Sequence, residues 1–157
     1  MLPENLREQS IAVALSAFEE DAITGGKVDR GELTLEIDAN RIVSACGFLK
    51  HEQGFIRLST LTAVDWYPSE PRFEVVYHLH SLEQNRRVRL KCKVAGTTPM
   101  IDSVCSVWRS ANWYEREVFD LFGIQFTNHP NLKRIMLPDD WEGHPLRKDF
   151  PITGNRV

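Results

Sequence analysis

Apolar residues recur at near-helical spacing from about Asn5 to Ala22, with Leu6, Ile11, Ala14, Leu15 and Phe18 in phase, and Gly25-Gly26 breaks the pattern. "ELTLEI" (Glu32–Ile37) alternates strictly and predicts a strand. Asp38 suits an N-cap for a helix to about Glu52, whose apolar face is Ile42, Val43, Cys46 and Leu49. "GFIRLSTLTAVDWYP" predicts a strand ending in "PSEP". Two alternating runs, "RFEVVYHLHSL" and "RRVRLKCKV", then predict a hairpin. With Glu83 to Arg86 as its loop, Leu82 pairs with Arg87. Phe73, Val75, Tyr77 and Leu79 then share a face with Val88, Leu90, Cys92 and Val94, and Arg87, Arg89, Lys91 and Lys93 line the other opposite Glu74, His78 and His80.

The next periodic stretch predicts a helix from about Pro99 to Phe122. At 100° per residue its stripe is Val104, Val107, Trp108, Ala111, Tyr114, Val118, Leu121 and Phe122. Glu115 falls inside that stripe, Glu117 lies on its flank, and Arg116 and Asp120 point outward with Arg109 and Trp113. A carboxylate facing a core is expensive unless a cation or several donors satisfy it. It serves as a general acid of raised pKa, a structural pair, or a charge awaiting a partner chain. Trp113 beside Arg109, Arg116 and Asp120 has the composition favoured at interface hot spots.

After Gly123 the chain carries four prolines in "NHPNLKRIMLPDDWEGHPLRKDFPITGNRV" and little periodicity, which predicts an extended tail needing something to lie against. The expected order is helix, strand, helix, three strands, helix, tail. This gives a two-layer α+β domain over 1–123, one mixed or antiparallel sheet with helices packed on it, and an extended tail over 124–157 docking on partner chains.

Composition narrows the chemistry. A net charge of -3 opposes bulk binding to nucleic acid or anionic membrane, although the row Arg87, Arg89, Lys91 and Lys93 leaves a stand-alone nucleic-acid-binding domain as the alternative from another class. A solvated sheet face or a guarded edge explains the same row without a ligand. No apolar run approaches the roughly 20 residues of a membrane span, and the N-terminus lacks the pattern of a secretory signal, so a cytosolic setting is expected. Cys46, Cys92 and Cys105 are widely spaced among apolar neighbours and read as small buried hydrophobes. His78 and His80 have the spacing of a metal pair but face cations and lack a third ligand. Neither a phosphate-binding loop nor a nucleophile elbow is present. Glu115 and Glu117, two apart on a helix, cannot converge on one substrate. His129 and His144 each precede a proline, Pro130 and Pro145, which marks extended or turn backbone.

The stretch "EREVFDLFGIQFTNHPNLKRIM" (Glu115–Met136) closely resembles the signature of the 30 kDa family, the C subunits of bacterial NADH:quinone oxidoreductase, respiratory complex I. "LPDDWEGHPLRKDFP" (Leu137–Pro151) is similar to that family's C-terminal motif. The resemblance implies an accessory peripheral-arm subunit on the cytoplasmic side of the bacterial inner membrane. It would bind no cofactor itself, with NADH, FMN, iron–sulfur clusters and quinone belonging to other subunits. It would pack against the D subunit, which forms the quinone site, near the B and I subunits, in a complex that pumps protons. Related subunits of NDH-type complexes and membrane-bound hydrogenases are the nearest alternative. The motif positions carried over as interface residues are Trp113, Glu115, Arg116, Glu117, Asp120, His129, Pro130, Arg134, His144, Pro145, Arg147, Lys148 and Asp149. Glu115 is expected to have a buried cationic or hydrogen-bonding partner.

Overall fold

Alternation separates the two faces of the central sheet as expected. A computed structural model describes residues 2–153, so positions 154–157 of the predicted tail lie outside the described residues. The five-stranded sheet is built from β1 (Ile23–Asp29), β2 (Glu32–Ile37), β3 (Arg57–Asp65), β4 (Phe73–Ser81) and β5 (Arg86–Val94), in the order β1-β2-β5-β4-β3. Within it β2 and β5 pair in parallel and the other neighbours antiparallel, so the sheet is mixed. Phe73, Val75, Tyr77 and Leu79 join Val88, Leu90, Cys92 and Val94 in one buried face. Against it lie α1 (Ser10–Phe18), α2 (Ile42–His51) and α3 (Ala111–Phe122), which bury Ile11, Leu15, Ile42, Ala45, Leu49 and Val118 in the same cluster. The class is α+β, helices on one side of a sheet.

Several boundaries differ from the sequence expectation. Glu4–Leu6 forms a separate 3₁₀ turn before α1, so the first helix is shorter than Asn5 to Ala22. Gly25 and Gly26 do not interrupt the chain but lie inside β1, where the register shifts between Ile23 and Gly25. A Cβ on Gly26 would sit 2.5 Å from the Thr34 carbonyl oxygen and 3.0 Å from Leu6, so close approach rather than a turn requires glycine. The reversal comes instead at Arg30-Gly31, both at positive φ, as a two-residue hairpin turn demands.

The β4–β5 hairpin closes with Ser81 opposite Arg86 and His80 opposite Arg87, two residues from the expected register. Side-chain direction has period two, so a two-residue slip leaves every face unchanged. On the outer face Arg89 pairs with Glu32 and Lys91 with Glu74, which neutralises half of the cationic row.

The largest correction concerns Pro99 to Phe122. Its first part is not helical. Met100–Asp102 forms β6, parallel to β7 (Gln125–Thr127), and turns carry the chain to α3. Ser103 donates its backbone N–H to Thr127 and Gln125 donates to Pro99, so these backbone groups find partners across the chain instead of along a helix. Val104, Val107 and Trp108 are nonetheless buried, because the apolar pattern reports burial whichever backbone delivers it.

Candidate functional site

Helix α3 organises almost every motif residue. Its hydrophobic stripe covers the sheet, and Tyr114 reaches across to donate its hydroxyl to the Ser59 carbonyl at 3.0 Å. Glu115, at 0% exposure, sits inside that contact. Its carboxylate accepts from the Ser103 hydroxyl at 2.6 Å, the Val104 N–H at 2.7 Å and the Cys105 thiol at 3.2 Å. His129 Nε2 stands 3.8 Å away. Burial raises the Glu115 pKa, and the donors from Ser103, Val104 and Cys105 oppose that rise. The acid thus has the hydrogen-bonding partner expected of it, in the form of the Ser103 hydroxyl, the Val104 N–H and the Cys105 thiol. Cys105 corrects the reading of the cysteines. It is half-buried and donates to a carboxylate, and burial pushes its thiol up to about 12.

Cys105, Glu115 and His129 bring three potential metal-ligand atoms within 4.8 Å of one another. The hydrogen bonds argue against a cation there. His129 Nδ1 accepts from the Asn131 N–H at 3.0 Å, so the neutral ring carries its proton on Nε2, which faces the Asn112 carbonyl at 3.3 Å. No lone pair on Nε2 is left for a metal.

Asp120 overturns the outward assignment, because it too has 0% exposure. The tail covers it. Arg134 Nη1 donates to its carboxylate at 2.6 Å, and the N–H groups of Ile135, Met136 and Leu137 converge on its other oxygen at 3.1, 2.7 and 2.9 Å. Burial works against the charge, yet the Leu137 N–H, Arg134, and the N–H groups of Met136 and Ile135 together hold the Asp120 pKa below its ordinary value.

The tail also caps the helix. The last carbonyls of a helix lack intrahelical partners. Here His144 Nδ1 donates to the Asp120 carbonyl at 2.8 Å, the Leu146 N–H to Leu121 at 3.1 Å, and Arg147 Nε to Phe122 at 2.6 Å. Cationic Arg147 at this end also suits the helix dipole. Gly123 leaves the helix at φ +74°, and a Cβ there would lie 2.6 Å from both Arg147 and His144. Burial and the nearby guanidiniums lower the His144 pKa.

A third anchor lies at the sheet edge. Asp65 accepts from Arg72 at 2.8 and 2.9 Å and from the Lys148 N–H at 2.8 Å, while Arg72 also grips Asp149 at 2.6 Å. Burial opposes the Asp65 charge, but Arg72 and the Lys148 and Tyr67 N–H groups bring its pKa down to about 2.

The remaining motif residues are more open. Arg116 donates to the carbonyls of Lys133 and Arg134 and lies 5.2 Å over the exposed Trp113 ring. Glu117 and Pro130 are exposed and Pro145 is half-buried. Sequence reasoning missed Asp65, Arg72, Ser103 and Gly123. Asp65 carried the signal that exposed Glu115, since Leu61, Ala63 and Asp65 share the inward phase of β3.

The motif acids and cations of this α+β domain bind its own tail to one helix. Residues 35–156 match the family model of the respiratory-chain NADH dehydrogenase 30 kDa subunit, and the chain belongs to that family. It is 50% identical over 125 residues to the NADH-quinone oxidoreductase C subunit of Geotalea uraniireducens, covering 80% of this chain and 76% of that one. The corresponding C subunit of Cereibacter sphaeroides is 48% identical over 156 residues, covering 98% and 76%. Among solved structures, a chain of an archaeal membrane-bound sulfane sulfur reductase superposes with a TM-score of 0.76 at 30% identity, covering 90% of this chain and 84% of that one. The trypsin-resistant fragment of Nqo5 gives 0.64 at 32% identity, covering 69% and 89%. Among the described residues no helix is long and apolar enough to cross a membrane.

Proposed function

We propose that this chain serves as the C subunit of an NADH-quinone oxidoreductase, and that it acts as a cofactor-free docking piece without a redox step of its own. The observation that carries the reading is how the motif charges are used. Glu115, Asp120, Arg134, His144 and Arg147 all hold loop, helix and tail together, and none converges with another on an open substrate site. The relatives are named as C subunits of NADH-quinone oxidoreductase, and on this reading NADH, FMN, iron–sulfur clusters and quinone would be held by other chains. Its neighbours would be the D subunit at the quinone site together with the B and I subunits, with the chain peripheral on the cytoplasmic face. A scaffold of this kind contributes by fixing the geometry of partners, since small displacements between redox groups or around a substrate site lower rate steeply.

Affinity purification from native membranes through a tag on this chain tests the reading. The D and B subunits should be recovered with NADH:quinone activity, while the isolated chain should not oxidise NADH. Recovery of the wild-type chain free of those subunits, or NADH oxidation by the chain alone, would overturn it.

A further inference from the structure

We infer that the outer face of α3 is a preformed docking site, centred on Trp113 and Glu117, for a segment of a different subunit that offers an apolar pocket to the indole and a basic side chain to the carboxylate. The inference rests on the reading proposed above and adds the surface and the chemistry of its occupant. Trp113 is 62% exposed, a large indole left in water. It is not a loose one. The Arg116 guanidinium lies 5.2 Å over the ring and is itself held from below by the Lys133 and Arg134 carbonyls at 3.1 and 3.2 Å. Those bonds belong to the segment that Asp120 fixes, so the cation, the ring beside it and the strip of tail next to them form one rigid unit. An aromatic anchor held before its partner arrives loses less entropy on binding.

Glu117 lies one helical turn after Trp113 and shares its exposed side. Among the described residues it has neither a hydrogen-bond nor an ion-pair partner. Met136, held at its N–H by Asp120, is 64% exposed and adds a second large apolar side chain on the tail that lies against α3. On α3 itself Glu115 and Asp120 are buried and Arg116 is held by two carbonyls and a π face, so among the described residues the helix charge left without a partner is the Glu117 carboxylate. A basic partner group answers it. A second copy of this chain fits poorly: a two-fold axis through the centre would set Glu117 against its own duplicate. Arg109, in the turn before α3, and Lys133, in the tail, are exposed cations outside the helix itself, where charges tune association rate and salt dependence.

The experiment uses the tagged full-length chain in its native membranes. Trp113→Ala and Glu117→Lys should each lower the recovery of the remaining subunits about tenfold or more, as hot-spot residues do, and Glu117→Gln less. The thermal midpoint of each isolated variant should stay close to wild type, because Glu117 has no partner among the described residues and Trp113 contributes only an exposed cation–π contact to Arg116. A photoreactive amino acid at position 113 in the assembled complex should crosslink to another subunit, at a peptide carrying lysine or arginine. Recovery at the wild-type level in both variants would overturn the inference while leaving the proposed function intact. Adducts only within this chain, to lipid or to a second copy would do the same. A wild-type chain that retains no other subunit would overturn both.

Discussion

Glu115 and Asp120 stand five positions apart on one helix, both with no solvent exposure, and their pKa values move in opposite directions. Burial penalises both charges. The difference lies in what answers it. Asp120 receives one charged donor, the Arg134 guanidinium, together with three backbone N–H groups. Glu115 receives a hydroxyl, a thiol and one N–H, with His129 Nε2 standing off at 3.8 Å. Neutral donors alone stabilise an anion less than a set that includes a cation. The two acids therefore fix different things. Glu115 locks the loop after β6 beneath α3 at a cost in charge burial, whereas Asp120 draws the tail onto the helix and remains ionised.

The comparison predicts its largest effect at Asp120. Replacing it with alanine leaves Arg134 without its counter-ion at a nearly closed site and frees three N–H groups. The expected loss is about 3–5 kcal/mol, the range for breaking a buried pair from one side. Denaturant unfolding of the isolated chain measures it, with amide exchange reporting the tail. A loss smaller than that of Glu115→Ala would show that the tail is not held through Asp120.

That dependence explains what could be read from the chain alone and what could not. The central strands were legible because alternation encodes faces directly, and even a two-residue error in the β4–β5 register left Tyr77 inward and Arg89 outward. Glu115 was legible because an acid in a core stripe is anomalous wherever the backbone runs. Asp120 was not, since helical projection shows only which side of α3 it occupies, and the covering residues Arg134 to Leu137 come from a segment without periodicity. The non-helical stretch before α3 failed for a related reason. The partners of β6 lie in β7, beyond the helix, and a three-residue parallel pairing leaves almost no local signature.

Titration sharpens the contrast with a smaller effect. Glu115 has a raised folded pKa, so between its unfolded and folded values the folded state binds more protons and stability rises as pH falls. The slope contributed is at most about 1.4 kcal/mol per pH unit. Asp120 and Asp65 act in the opposite sense. Their stabilisation is present above the ordinary carboxylate range and is lost as pH falls through their lowered values, which for Asp65 means towards about 2. Stability should thus rise on mild acidification and fall steeply below about pH 4. Glu115→Gln should remove the rise and keep the fall. If the variant and wild type show parallel profiles from neutral pH to about pH 5, a little above the ordinary carboxylate range, Glu115 is not the group strained by burial.

The smallest effect tests whether a neutral donor matters at all. Cys105→Ala deletes a thiol that donates to Glu115 at 3.2 Å and leaves the Ser103 hydroxyl and Val104 N–H in place. A thiol is a weak donor, so the loss should be about 0.5–1 kcal/mol at neutral pH, near the low end for a hydrogen bond. It should come with a further rise in the Glu115 pKa, because a bond that favours the ionised form is gone. An NMR titration of the Glu115 carboxyl carbon, read beside the unfolding midpoint, separates this from simple loss of packing. Packing alone would lower the midpoint by a similar amount at every pH and leave the titration where it was, whereas loss of the donor moves both and makes the midpoint change shrink as Glu115 becomes protonated.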